Sequence, residues 1–183
     1  MKRPLLWAEA GLWMAGVVLA AVGAAGALEA RGARRQADAV VEHSEVRGHK
    51  AGEVIGRLEI PGLSLSVPVL ESYEPDTLRR GVGHIPGSAV PGGLGNLVLA
   101  GHRDTFFRPL KNVKAGMEID VATANGRFAY SIDSTEIVTP EQVEIMDIGD
   151  RPGMTLITCY PFEYVGQAPK RFIVHAHLVS DPA

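Results

Sequence analysis

A chain of 183 residues with 46% apolar residues and 12 prolines has room for one ordinary domain plus an appendage, and too little for two full domains. Its 18 Lys and Arg against 21 Asp and Glu leave a net charge of −3 with no basic stripe, which excludes a nucleic-acid surface, because phosphate binding needs clustered cations. The single cysteine, Cys159, excludes a disulfide within the chain.

The appendage comes first. Between Ala10 and Leu28 there is no charged residue. As a helix this stretch would be about 28 Å long, close to a hydrocarbon core of ~30 Å. Trp7 and Trp13 suit an interfacial anchor at its outer end. We therefore expect one N-terminal transmembrane helix over 10–28, preceded by a short tail of residues 1–9. A cleaved signal peptide is the alternative, since Ala25-Gly26-Ala27 resembles a cleavage site. Charge counting does not orient the segment, because Lys2 and Arg3 precede it while Arg31, Arg34 and Arg35 follow. Residues 29–51 are polar and Arg/Ala-rich and read as a juxtamembrane linker.

From residue 52 to 183 the pattern is that of a β domain. Val54–Ile60 and Leu63–Val69 are predicted strands joined at Pro61-Gly62 as a hairpin. Thr77–Val82 is a short predicted helix, Asn96–Ala100 a buried strand and Phe106–Val113 another short helical piece. Met117–Thr123 and Arg127–Val138 alternate around Asn125-Gly126, the dipeptide of tight hairpins. Thr139 caps a helical turn over Pro140–Met146, with Gln142 placed as in a capping box. Thr155–Cys159 and Arg171–Val179 complete the set. About seven to eight short strands, Gly/Pro punctuation and no βαβ rhythm predict a mainly β closed barrel with short helices.

Three residues stand at predicted strand ends and carry chemistry. His102 follows Asn96–Ala100 after one glycine, Cys159 ends its strand, and Arg171 opens the last. If the Cys159 and Arg171 strands are neighbours, the three side chains supply a nucleophile, an acid/base and a cationic donor, the parts that acyl transfer through a thioester needs. An unpaired thiol in an exported chain also calls for a reason, since such cysteines normally pair.

These residues resemble a family. Thr155-Leu156-Ile157-Thr158-Cys159 is similar to the nucleophile signature of the sortases, Ala100-Gly101-His102 to their histidine segment, and Arg171 to their arginine on the following strand. Thr158-Cys159-Tyr160-Pro161-Phe162 with Ala168-Pro169-Lys170-Arg171-Phe172 resembles the class D sortases most, and the likeness covers about Gly52 to Val179. The resemblance implies a cysteine transpeptidase that needs no cofactor, with Cys159, His102 and Arg171 catalytic. It would be held by its N-terminal helix in the cell membrane, residues 1–9 cytoplasmic and the barrel outside. Its substrates would be proteins bearing an LPxTG-like sorting signal, cut after Thr and passed to an amine of a peptidoglycan precursor or a pilin lysine. Thr158 becomes a candidate for positioning peptide, and Tyr160 and Phe162, with Tyr164 and Val165, candidate walls of an apolar groove; covering the barrel is the alternative role for these aromatics.

Other polar residues are open to more than one reading. His84, in Gly83-His84-Ile85-Pro86-Gly87, is a candidate for reaching the active-site end and binding substrate. His175 and His177 alternate on one strand, a ligand-like spacing that supports a rival: a noncatalytic metal-binding module using His102, His175, His177 and Cys159. A redox-sensing thiol is a further alternative, without the resolving cysteine such sites often carry. Glu118, Asp120, Glu141 and Glu144 read as solvated faces rather than as a calcium site.

Overall fold

The computed structural model describes residues 49–142 and 151–180. The apolar run 10–28 and the linker as far as residue 48 lie outside the described residues, as do Val143–Met146 of the expected helical turn and Glu144 with them.

Eight strands follow one another: β1 Val54–Ile60, β2 Leu65–Glu71, β3 Val82–His84, β4 Asn96–Ala100, β5 Glu118–Thr123, β6 Gly126–Val138, β7 Gly153–Tyr160 and β8 Lys170–Ser180. They form a closed barrel in the order β1-β2-β3-β4-β7-β8-β6-β5, and β5 pairs back onto β1. Two neighbouring pairs are parallel, β2 with β3 and β4 with β7; the others are antiparallel. Closure gives every strand a neighbour on both sides, so the barrel leaves no strand at a sheet edge.

The period-2 pattern fixes which residues point inward. Leu58 and Ile60 of β1, Leu97 and Leu99 of β4, and Met154 and Leu156 of β7 are all buried in one cluster. Each such side chain stabilises the fold by about 1.5–3 kcal/mol relative to exposure. Inward-facing Tyr130 keeps its phenol satisfied at the barrel end by accepting a hydrogen bond from the Gly92 N–H at 2.8 Å.

Three turns differ in detail from the sequence pattern. The β1–β2 connection is a 3-10 turn over Pro61–Leu63 followed by Ser64 in the left-handed region (φ 51°), so β2 starts at Leu65 rather than Leu63. In the β5–β6 hairpin Thr123 pairs with Gly126, and Ala124-Asn125 occupy the turn. Gly126 takes the positive φ of 127° one place after the turn, and the Thr123 hydroxyl closes it by donating to the Gly126 carbonyl at 3.2 Å. The helix expected at Thr77–Val82 is a single turn, α1 Pro75–Leu78. It stops because the chain must press onto β2 at Gly81, where a Cβ would lie 2.5 Å from the Pro68 carbonyl oxygen, and Val82 is then taken into β3 opposite Val69. The second helical piece is a 3-10 helix over Arg108–Asn112. Of the expected capping box, Gln142 accepts a hydrogen bond from the Thr139 N–H at 2.8 Å.

Candidate active site

The site is assembled by two strand pairings around β7. Parallel pairing of β4 with β7 sets Ala100 level with Ile157, and the ladder continues one step further, Gly101 N–H donating to the Ile157 carbonyl at 3.1 Å. That register, with the Thr158 hydroxyl on the Gly101 carbonyl, places Gly101 beside Thr158 and leads the chain into His102 at the end of the barrel where β7 carries Cys159. On the other flank, antiparallel pairing of β7 with β8 puts Cys159 directly opposite Arg171. Directly opposed residues share a face, with Cβ atoms about 4.5–5.5 Å apart. Cys159 and Arg171 therefore stand side by side, and His102 follows the end of the neighbouring strand β4. His102 is exposed and Cys159 is half-buried with a free thiol. Arg171 Nη1 donates to the carbonyls of Ala168 and Lys170, at 3.2 and 3.0 Å, which fixes one end of its guanidinium.

The histidine arm is shaped by its neighbours. After His102 the chain doubles back so that Phe107 N–H donates to the His102 carbonyl at 3.0 Å. The fully buried Phe107 ring then lies beneath Gly101, where a Cβ would be 2.7 Å from it. Only glycine allows that approach.

Thr158 is buried and its hydroxyl donates to the Gly101 carbonyl at 2.7 Å. It therefore locks β7 to the histidine arm, a different task from the peptide contact expected of it. Tyr160 and Phe162 join Phe172 in a cluster of three rings, with centroids 5.2–6.3 Å apart. Phe162 and Phe172 pack against the barrel core, while Tyr164 and Val165 are exposed. Of the residues weighed for the groove, Phe162 covers the barrel, and Val165, 96% exposed, covers nothing.

His84 is a correction. It is 4% exposed, and both ring nitrogens are engaged inside the protein, Nδ1 with Glu71 Oε2 at 2.8 Å and Nε2 with the Ala89 carbonyl at 3.1 Å and Ser88 Oγ at 3.0 Å. The ring ties the β3–β4 loop to β2 and has no free nitrogen for substrate. His175 and His177 stand on the barrel exterior paired with separate carboxylates, Glu136 at 2.8 Å and Asp133 at 2.6 Å. His175 is four residues from Arg171 along β8, about 13 Å at ~3.3 Å per residue. Among the described residues no three His, Cys, Asp or Glu side chains converge on a metal position, so the four ligands of the rival module are not brought together. Asp120 is likewise no solvated face, since it is buried and accepts a hydrogen bond from Arg127 at 3.1 Å.

One residue escaped the sequence reading. Arg103, next to His102, is 5% exposed and reaches under the loop between β7 and β8, donating to the carbonyls of Pro161, Tyr164 and Gly166. The sequence shows an arginine beside the histidine and nothing of where it points.

A thiol, an imidazole and a guanidinium on adjacent strand ends can attack a carbonyl carbon, carry a proton to a leaving group and hold developing negative charge on oxygen. Comparison with known proteins bears on which carbonyl. A profile of the Sortase domain matches residues 58–179. Sortase D of Bacillus subtilis is 35% identical over 153 residues, 83% of this chain and 77% of the relative. Among solved structures, a Clostridium perfringens Sortase D5 transpeptidase superposes with a TM-score of 0.75 at 24% identity, over 83% of this chain and 99% of that one. Sortase E1 of Streptomyces coelicolor, solved with a tripeptide in its active site, gives a TM-score of 0.65 at 29% identity, over 74% of this chain and 93% of that one.

Proposed function

Since the chain belongs to the sortase family and is a sortase transpeptidase, we propose that Cys159, His102 and Arg171 are its catalytic residues and that they act on an LPxTG-like sorting signal. The observation that carries this reading is the double pairing of β7, with β4, which leads into His102, on one flank and with β8, which sets Arg171 opposite Cys159, on the other.

The Cys159 thiol passes its proton to His102 as Sγ attacks the carbonyl carbon of the signal's Thr, and the electron pair of that carbonyl moves to oxygen. Arg171, whose Nε and Nη2 carry no bond to another described residue, donates to that oxyanion or to the adjacent peptide backbone. Collapse breaks the C–N bond, and His102 delivers a proton to the departing amine, leaving a thioester on Cys159. An incoming amine, from a peptidoglycan precursor or a pilin lysine, gives its proton to His102 as it displaces the thiolate. The product is a new amide, and the thiol is restored.

Tyr160 and Phe162 offer apolar surface for the leading Leu-Pro of the signal, and Thr158 acts beneath them through its bond to Gly101. The apolar segment 10–28 anchors the protein, with the barrel on the extracytoplasmic side. The family likeness supports an acyl acceptor and a peptide donor in general, and the sequence of segment 10–28 supports the anchor.

The test is incubation of the full-length chain with LPxTG, LPxTA and LAxTG peptides, followed by mass spectrometry of Cys159. A thioacyl adduct of the fragment ending in Thr is the expected result, absent in Cys159→Ala. An adduct on another residue, or cleavage that persists in Cys159→Ala, overturns it.

A further inference from the structure

We infer that Arg103 is a positioning residue that sets the height of the β7–β8 loop, and with it the wall the substrate meets beyond Cys159. The loop, residues 161–169, carries Phe162 and leads into Arg171. It has little regular structure of its own; one turn, Tyr164 N–H to the Pro161 carbonyl at 3.3 Å, is its internal bond among the described backbone contacts. Phe162 packs its start against the core and Arg171 holds its end at the Ala168 carbonyl; between them its hold comes from the histidine arm. Arg103 Nη1 donates to the Pro161 carbonyl at 2.9 Å, and Nη2 donates to those of Tyr164 at 2.6 Å and Gly166 at 3.1 Å. The Nε donates to Asp104 Oδ1 at 3.3 Å, and the guanidinium lies 5.9 Å from the Tyr164 ring centroid.

Burial decides the weight of these contacts. Glu163 also pairs with Lys111 at 3.5 Å and Arg108 at 3.8 Å, but all three side chains are well exposed, and exposed ion pairs contribute little. Arg103 is almost wholly buried. Charge-assisted hydrogen bonds from a buried cation are the strong ones, and leaving a buried guanidinium without its acceptors is costly. A planar fork reaches three carbonyls at once, and a lysine ammonium at the end of a flexible stem cannot reproduce that spacing. Thr158 ties β7 to the residue before His102 with one hydrogen bond, and Arg103, the residue after His102, ties the arm to the loop beyond Cys159 with three.

For its substrate this inference rests on the proposed function; the loop geometry can be tested without it. The experiment compares full-length wild type, Arg103→Lys and Gly166→Ala. Gly166 sits at φ +97° with open space around its Cβ position, so an alanine there strains the loop while leaving Arg103 in place. Native chymotrypsin digestion is followed by mass spectrometry of the fragment ending at Tyr164, beside KM, kcat and the iodoacetamide alkylation rate of Cys159. In Arg103→Lys, cleavage after Tyr164 is expected to quicken and KM to rise by about tenfold, as misplaced substrate contacts do. The alkylation rate should stay within about twofold, since a small reagent senses the thiolate and not the wall. Digestion and KM at wild-type values in Arg103→Lys overturn the inference, as does a fall in kcat with KM unchanged. If Arg103→Lys shows no cooperative melt, Gly166→Ala decides by the same two readouts. Should wild type form no thioacyl adduct, the proposed function falls while the digestion comparison still decides the role of Arg103.

Discussion

The hydroxyl of Thr158 and the carbonyl of Gly101 share a single 2.7 Å hydrogen bond, yet each belongs to the residue immediately before a candidate catalytic side chain. Valine is nearly isosteric with threonine but donates nothing, so Thr158→Val should leave a buried carbonyl unsatisfied at a cost of about 1–3 kcal/mol. Urea unfolding measures that cost, and kcat for peptide cleavage should fall with it because the histidine arm loses its tie to β7. Stability and kcat both at wild-type values would show that the bond contributes nothing. Arg171→Lys probes the opposite flank. It keeps the charge and loses the fork that Nη1 shares with Ala168 and Lys170, so turnover should drop by at least ~10²-fold, the scale of one oxyanion donor. Near-normal turnover would reduce Arg171 to a point charge.

Between elements, fit matters more than chemistry. Gly92 in the β3–β4 loop has φ +75°, and a Cβ there would lie 2.0 Å from the Phe128 ring. Gly92→Ala combines overpacking of about 1–3 kcal/mol with left-handed strain of about 1–2 kcal/mol. The melting temperature should fall by several degrees, while kcat/KM measured well below the melt stays unchanged; loss of activity in the folded protein would tie this loop to catalysis. Most elements were legible in the chain because alternation and turn residues act locally: the Val54–Ile60 and Asn96–Ala100 strands match the pattern residue for residue. The partner of a strand is not local. Nothing in Asn96–Ala100 says that it lies parallel to a strand more than fifty residues later, and the three-residue β3 is too short to alternate. His102 and Cys159 were legible as strand ends, whereas the buried reach of Arg103 and the inward turn of His84 depend on packing that a linear sequence does not display.

At the scale of the whole molecule, the described barrel draws on residues 54–142 and 151–180, and segment 10–28 supplies the proposed anchor. Fractionation of cells making the full chain should put it in the membrane pellet, resistant to salt and released by detergent; a salt-released or soluble protein would remove the anchor. The barrel has a kinetic consequence as well. Its candidate catalytic residues His102 and Cys159 are 57 residues apart in sequence, and the β4–β7 step that brings their strands together must span all of β5 and β6. Such distant pairings form late, because chain closure must be achieved before they are rewarded. Until then the chain carries a bare thiol and a solitary imidazole, and a newly made or partly unfolded copy is catalytically silent. The topology acts as an intrinsic latency: acyl transfer begins only when the last strand has found its place.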